Sequence, residues 1–232
     1  VHVINIPQQL KKTMNDQPSA NPTQPQKNDR LIWWIIGITV LVIGGSVLWH
    51  KVLKDQFVAK RWGQVETGLY RSGQLSTGMC EPTLKDNNIQ VIINLCSAQP
   101  NDPEDVNEKQ VAQELGIDRE HFPMPGDGTG TLEAYVAAET KLITSMREKK
   151  NTLVHCSAGT QRTGGVIASY RLLVEGAKPQ DILKEMQQYD FSTKSNPKLL
   201  PHLNAIMPEL AKRLKERGMI DTIPDPIPTF PE

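Results

Sequence analysis

"TLVHCSAGTQRTGGVIASYRLL", residues 152–173, decides the architecture. Its first five residues form a short run with apolar and β-branched members, the mark of a buried strand. From Thr163 onward the pattern is that of a helix. Between the two, Ser157, Ala158, Gly159 and Thr160 are small, so the backbone can curl from strand to helix within one loop. Cys156 stands at the carboxyl end of the strand, and Arg162 follows it by six positions. In open α/β sheets, ligands gather beyond the carboxyl ends of strands.

Strands and helices alternate on both sides of this unit. "WGQVETGLYRSGQLS" reads as two short strands with a turn at Gly68, and "IQVIINLC" as a buried strand. "DPEDVNEKQVAQELGI" reads as a surface helix with an acidic start, in which Asp102 and Asp105 act as caps. "EHFPM" is a short strand that ends at Pro123 and Pro125. "TLEAYVAAETKLITSMREKK" is a long helix, with Glu133 near its start and basic residues at its end to match the helix dipole. "KPQDILKEMQQYD" is a helix with Pro179 in its first turn. "NPKLLPHLNAIMPELAKRLKERG" is helical, with breaks or kinks expected at Pro201 and Pro208. The expected class is α/β, a central and mostly parallel sheet flanked by helices.

Upstream, residues 1–30 are polar and rich in Gln, Asn and Pro, as expected of a disordered tail. Residues 31–49, "LIWWIIGITVLVIGGSVLW", carry no charge. A helix of that length rises about 30 Å, the thickness of a bilayer's hydrocarbon core. Trp33, Trp34 and Trp49 lie near its ends, where indole rings favour the headgroup level. A single transmembrane helix is therefore expected, in preference to a buried core helix or a cleaved signal peptide. Lys51, Lys54, Lys60 and Arg61 follow it, and this bias leans towards a cytoplasmic C-terminal domain. That domain is expected over 55–218, followed by a Pro-rich tail over 219–232.

The 232 residues carry 26 basic and 26 acidic side chains, a balance that argues against a nucleic-acid binder. Three scattered cysteines, Cys80, Cys96 and Cys156, make neither a disulfide framework nor a C-x-x-C zinc pair. No metal and no cofactor is expected.

The loop Ser157, Ala158, Gly159, Thr160 and Gln161 then has a chemistry of its own. A curled loop at a helix N-terminus turns several N–H groups into one hollow, which suits an anion. Arg162 adds a planar, permanently charged fork that fits two phosphate oxygens. The same field favours the thiolate of Cys156. A thiolate beneath a bound phosphate is a nucleophile aimed at phosphorus.

His155-Cys156-x-x-Gly159-x-x-Arg162-Thr163 resembles the H-C-x-x-G-x-x-R-[ST] loop of the cysteine-dependent protein tyrosine and dual-specificity phosphatases. The resemblance runs from about Phe57 to Gly218, and "GLYRSGQLS" and "VIINLC" are similar to the opening of small dual-specificity members. It implies hydrolysis of phosphate monoesters through a phosphocysteine. It also implies a general acid on a separate loop, which points to Asp127, 29 positions before Cys156, with a plain turn aspartate as the other reading. Asp118 is the runner-up, but its place before the "EHFPM" strand puts it at the opposite edge of the sheet. By the same resemblance His155 supports the loop and helps to hold the thiolate, with a core-filling histidine as the other reading, and Thr163 stabilises the departing thiolate, with a plain helix-start residue as the other reading. Gln161 is a further candidate, for positioning water. Arg71 is read as exposed or structural, in preference to substrate binding.

The expected substrates are phosphotyrosine or phosphoserine/threonine proteins near a membrane. A phospholipid or inositol-lipid substrate is the alternative. The neutral Ser157, Ala158, Thr160 and Gln161 disfavour highly charged inositides. A non-catalytic phosphate-binding module and an RNA 5′-phosphatase are weaker readings, the first because cysteine, arginine and acid are all present. Cys96 ends its strand as Cys156 does. If those strands are neighbours, a reversible disulfide between the two thiols is one expectation, and a buried apolar cysteine is the other.

Overall fold

The structure, a computed structural model, describes residues 29–49, 58–98 and 101–231. Of the polar tail expected over 1–30, residues 1–28 lie outside the described residues, as does 50–57, where the domain was expected to begin, whereas Asp29 and Arg30 are helical. The chain divides into two units, Val1–Val47 and Leu48–Glu232.

The first unit contributes helix α1, Asp29–Leu48, of 20 residues. Its window Leu31–Leu48 has a mean hydropathy of 2.3 and buries nothing against protein, so it is long and apolar enough to cross a membrane. Trp33 and Trp34 are each 71 % exposed.

The second unit is a five-stranded sheet with helices on both faces. Its strands are β1 (Gly63–Glu66), β2 (Leu69–Gly73), β3 (Val91–Asn94), β4 (Asp118–His121) and β5 (Thr152–Cys156). They lie in the order β1-β2-β5-β3-β4. Only the β1–β2 hairpin is antiparallel, and Gly68 turns it at a φ of 84°. The strand expected at "EHFPM" instead starts at Asp118 and stops before Phe122. Asp118 pairs with Val91, at the amino edge of the sheet, opposite to the edge that carries Cys156.

The helices are α2 (Thr77–Asp86), α3 (Pro103–Leu115), α4 (Leu132–Arg147), α5 (Gln161–Leu173), α6 (Pro179–Gln188) and α7 (Leu199–Glu216). Alternation along the strands sorts side chains between two cores. Val91, Ile93, Val154 and Cys156 join the core that includes Tyr135, Val166, Leu203 and Leu210. Ile92 and Leu153 join the other, with Cys80, Leu84 and Val111. Cys156 and His155 are neighbours in sequence and therefore face opposite sides of the sheet.

Helix α7 runs unbroken where breaks were expected. Pro201 is its third residue, where the missing N–H would have had no helical partner anyway. Pro208 lies within the helix, which continues past it. Beyond it the tail has no regular structure, yet Ile220 and Phe230 are buried. The Phe230 backbone accepts from Asn204 Nδ2 at 3.0 Å and donates to Asn204 Oδ1 at 2.8 Å.

Candidate active site

The loop between β5 and α5 is built by what holds its carbonyls. Ser157 O accepts from the Gln74 N–H at 3.2 Å, Ala158 O from Arg61 Nη1 at 2.7 Å and Gly159 O from Arg71 Nη2 at 2.8 Å. A peptide's N–H points opposite to its C=O. Three successive carbonyls drawn outward therefore turn the following N–H groups to the inside of the loop. The Gly159 N–H reaches Cys156 Sγ at 3.2 Å.

Gly159 is required twice over. Its φ is +77°, and a Cβ there would lie 2.5 Å from Gly73 N and 2.6 Å from Ser72 C. Arg71 backs the loop from below, buried at 1 % exposure with its guanidinium 3.8 Å from the centre of the Tyr189 ring. Burial lowers the Arg71 pKa to about 10, so it stays a cation. Of the two roles expected for Arg71, exposed or structural, its burial rules out the first.

Cys156 is 1 % exposed. Burial alone would raise its pKa, yet the net direction is down. The Thr163 hydroxyl, the charge of Arg162 and the N–H groups of Thr163 and Gly159 outweigh the lost solvation. Arg162 donates from Nη1 to Leu95 O at 3.2 Å and to Ser97 Oγ at 3.3 Å, and from Nη2 to Ser157 Oγ at 3.1 Å.

On the other side of the sheet His155 Nε2 stands 2.9 Å from Glu108 Oε2, both side chains being buried. The contact is close but poorly aligned for a hydrogen bond, so it holds through charge. Burial opposes the imidazolium, but Glu108 overrides it and moves the His155 pKa up. Glu108 moves down: His155 and Arg119 outweigh its burial. Arg119 Nε reaches Glu108 Oε1 at 2.7 Å, and Asn94 Nδ2 donates to the same oxygen at 2.9 Å. Asp105 receives Arg119 Nη2 at 2.5 Å. Asp102 is the N-cap of α3, whereas Asp105 belongs to this buried cluster. Neither Glu108 nor Arg119 stood out in the sequence.

Asp127 lies in the loop between β4 and α4, and that loop abuts the β5–α5 loop. A Cβ on Gly128, whose φ is +82°, would meet Gln161 O at 3.1 Å and Leu199 Cδ1 at 2.8 Å. Tyr135 donates to Gly128 O at 2.8 Å, and His202 Nε2 is 2.8 Å from Gly130 O. Asp127 Oδ1 accepts from the Thr129 hydroxyl at 2.7 Å and the Thr129 N–H at 3.1 Å, and Oδ2 is 3.5 Å from Lys198 Nζ. The Thr129 contacts, chiefly its hydroxyl, hold the carboxyl below its ordinary pKa. Gln161 Nε2 donates to Asn196 Oδ1, and the Thr160 hydroxyl to Tyr189 O at 3.3 Å.

Cys96 lies two residues past β3, whose Asn94 pairs with His155 of β5, so the two strands are neighbours. The Ser157 hydroxyl stands 3.6 Å from the Cys96 sulfur. All three thiols are free. Burial, the main cause, pushes Cys80 up to about 12, which makes it an inert core residue. Among the described residues no group of three His, Cys, Asp or Glu could hold a metal ion.

The family described as "Tc-R-P: Polymorphic toxin system, DSP-PTPase phosphatase" matches residues 72–177. No curated protein matches the chain in sequence. Among solved structures, the core catalytic domain of the PP-IP phosphatase SIW14 from S. cerevisiae, in complex with citrate, is 18 % identical with a TM-score of 0.54, over 70 % of this chain and 96 % of its own. P. aeruginosa TpbA is 18 % identical with a TM-score of 0.52, over 68 % of this chain and 91 % of its own. PTPMT1 is 16 % identical with a TM-score of 0.53, over 68 % and 98 %. At these identities the likeness is one of fold. The chain therefore shares the fold of these structures, and its residues 72–177 are similar to the matched phosphatase family.

Proposed function

We propose that the chain hydrolyses phosphate monoesters through a phosphocysteine at Cys156, with phosphotyrosine or phosphoserine/threonine proteins as its substrates. One observation carries this reading. Three outward carbonyls leave a ring of N–H groups around a buried thiol whose pKa is lowered. Such a hollow favours three phosphate oxygens above the sulfur.

In the first step the Cys156 thiolate attacks phosphorus. The S–P bond forms as the P–O bond to the leaving group breaks, and Asp127 gives its proton to the departing oxygen. Arg162 and the loop N–H groups balance the charge on the phosphoryl oxygens. In the second step the Asp127 carboxylate takes a proton from water as the water attacks phosphorus. Inorganic phosphate leaves, and Thr163 helps to receive the returning thiolate. His155 holds the strand end, and Gln161 helps to orient the water.

The loop positions Ser157, Ala158, Thr160 and Gln161 are neutral, which favours a substrate with one phosphate over a highly charged inositide. Helix α1 anchors the enzyme to a membrane, with the catalytic unit on the cytoplasmic side. Cys96 serves as a reversible disulfide partner that shields Cys156: peroxide oxidises the Cys156 thiolate to a sulfenic acid, and the Cys96 thiol attacks that sulfur and expels water.

The test is release of phosphate from an aryl phosphate by the full chain in detergent. Turnover is expected in wild type and only background in Cys156→Ser. Asp127→Asn is expected to lower kcat roughly 100-fold or more, the scale of general acid–base catalysis. Equal release by wild type and Cys156→Ser would end the enzyme reading. A panel of phosphopeptides and phospholipids then separates protein from lipid substrates.

A further inference from the structure

Arg162 is 6 % exposed, and its donors can be accounted for one by one. A guanidinium has five N–H groups, one on Nε and two on each Nη. Nη1 gives its two to Leu95 O and Ser97 Oγ. Nη2 gives one to Ser157 Oγ. Nε is buried and has no partner among the described residues. The donors left over are Nε–H and one Nη2–H, on the two nitrogens that share one edge of the fork. That edge takes two oxygens of a phosphate side by side.

Ser97 lies outside the phosphate loop, three residues past the end of β3. Its hydroxyl oxygen accepts from Arg162 Nη1 at 3.3 Å, and its own O–H goes to Met124 O at 3.1 Å. Met124 opens the segment that leads to Asp127. One hydroxyl thus links the arginine to the segment that carries the acid.

We propose that Ser97 is a positioning residue for phosphate: it occupies the far side of the Arg162 fork, so that the Nε/Nη2 edge faces the substrate, and it ties that edge to the segment leading to Asp127. The proposal rests on the phosphatase reading. Ser97 itself touches no reacting atom. It is exposed, so alanine in its place opens no cavity and leaves folding intact.

The experiment compares wild type, Ser97→Ala and Ser97→Thr, each as the full chain in detergent. Its readouts are KM and kcat on an aryl phosphate, inhibition by inorganic phosphate, and the melting midpoint. In Ser97→Ala, KM and the phosphate inhibition constant are expected to rise together roughly 10-fold, the scale of a hydrogen bond to a charged group. The fall in kcat is expected to be smaller, the midpoint to stay, and threonine to restore both constants. Unchanged constants in Ser97→Ala overturn the proposal. So does a lowered midpoint with no rescue by threonine. If wild type shows no turnover that depends on Cys156, the phosphatase reading fails instead. Protection of Cys156 from alkylation by inorganic phosphate then still decides Ser97: equal protection in wild type and Ser97→Ala rejects it, and weaker protection in Ser97→Ala upholds it.

Discussion

At Asp127 the two proposed chemical steps make opposite demands. The Thr129 hydroxyl and N–H and the Lys198 ammonium all favour the carboxylate. A carboxylate suits the base of the second step, while the acid of the first step needs the proton. Thr129→Val keeps the shape of the side chain and removes the hydroxyl bond at 2.7 Å. Because that bond holds the pKa down, its loss raises it. The alkaline limb of kcat/KM against pH is then expected to move to higher pH. Should the limb stay in place while the activity still depends on Cys156, Asp127 is not the acid that the limb reports. The sequence showed Cys156 and Arg162 because a fixed spacing within one loop suffices to place them. Asp127 was legible only as a distance from the cysteine. Ser97 and Thr129 were not, since serine and threonine are ordinary loop residues until their partners in other segments are known.

At the scale of elements, α3 departs most from its reading. Its acidic start suggested a surface helix, yet Glu108 is 3 % exposed and Asp105 8 %. The reason is that their partners, Asn94, Arg119 and His155, come from three different strands. Charge alone reads as surface, and only the assembled sheet supplies the counter-ions. Glu108→Gln leaves a buried imidazolium without its counter-ion and is expected to cost about 3 kcal/mol. The effect depends on pH with a definite sign. His155 is raised above its ordinary 6.5, so its share of the stability is whole below 6.5 and fades as pH climbs through the raised value. Glu108 is lowered below its ordinary 4.5, so its share is whole above 4.5 and fades as pH falls through the lowered value. Urea melts are therefore expected to separate wild type from Glu108→Gln most widely between pH 4.5 and 6.5, and less at pH 9. A gap that widens towards pH 9 would contradict the pairing.

For the molecule as a whole, the succession of strands and helices was readable, because hydrophobic period and Gly or Pro punctuation are local. The order of the strands was not. β5 lies between β2 and β3, a choice made by contacts across about 60 to 80 positions of sequence. That central place puts Cys156 at the carboxyl edge between Gly73 and the residues after Asn94, where loops from both neighbours meet it. The α1 helix was legible as an uncharged run. The full chain is expected to sediment with membranes and to resist extraction by alkaline carbonate, whereas a chain beginning at residue 55 stays in the supernatant. Release of the full chain by carbonate would show that α1 does not span the bilayer.

The bond from Tyr135 to Gly128 O has a consequence for mutational tolerance. A Cβ on Gly165 would lie 2.4 Å from the Tyr135 hydroxyl oxygen but 3.4 Å from the ring carbon that bears it. Gly165→Ala therefore collides with the very oxygen that steadies the Asp127 loop. Removing that oxygen, as in Tyr135→Phe, relieves the collision and leaves Leu199 Cδ1, 3.3 Å from the same Cβ, as the tightest contact. The two positions are epistatic: the alanine is tolerated best in the background that has already given up the anchor.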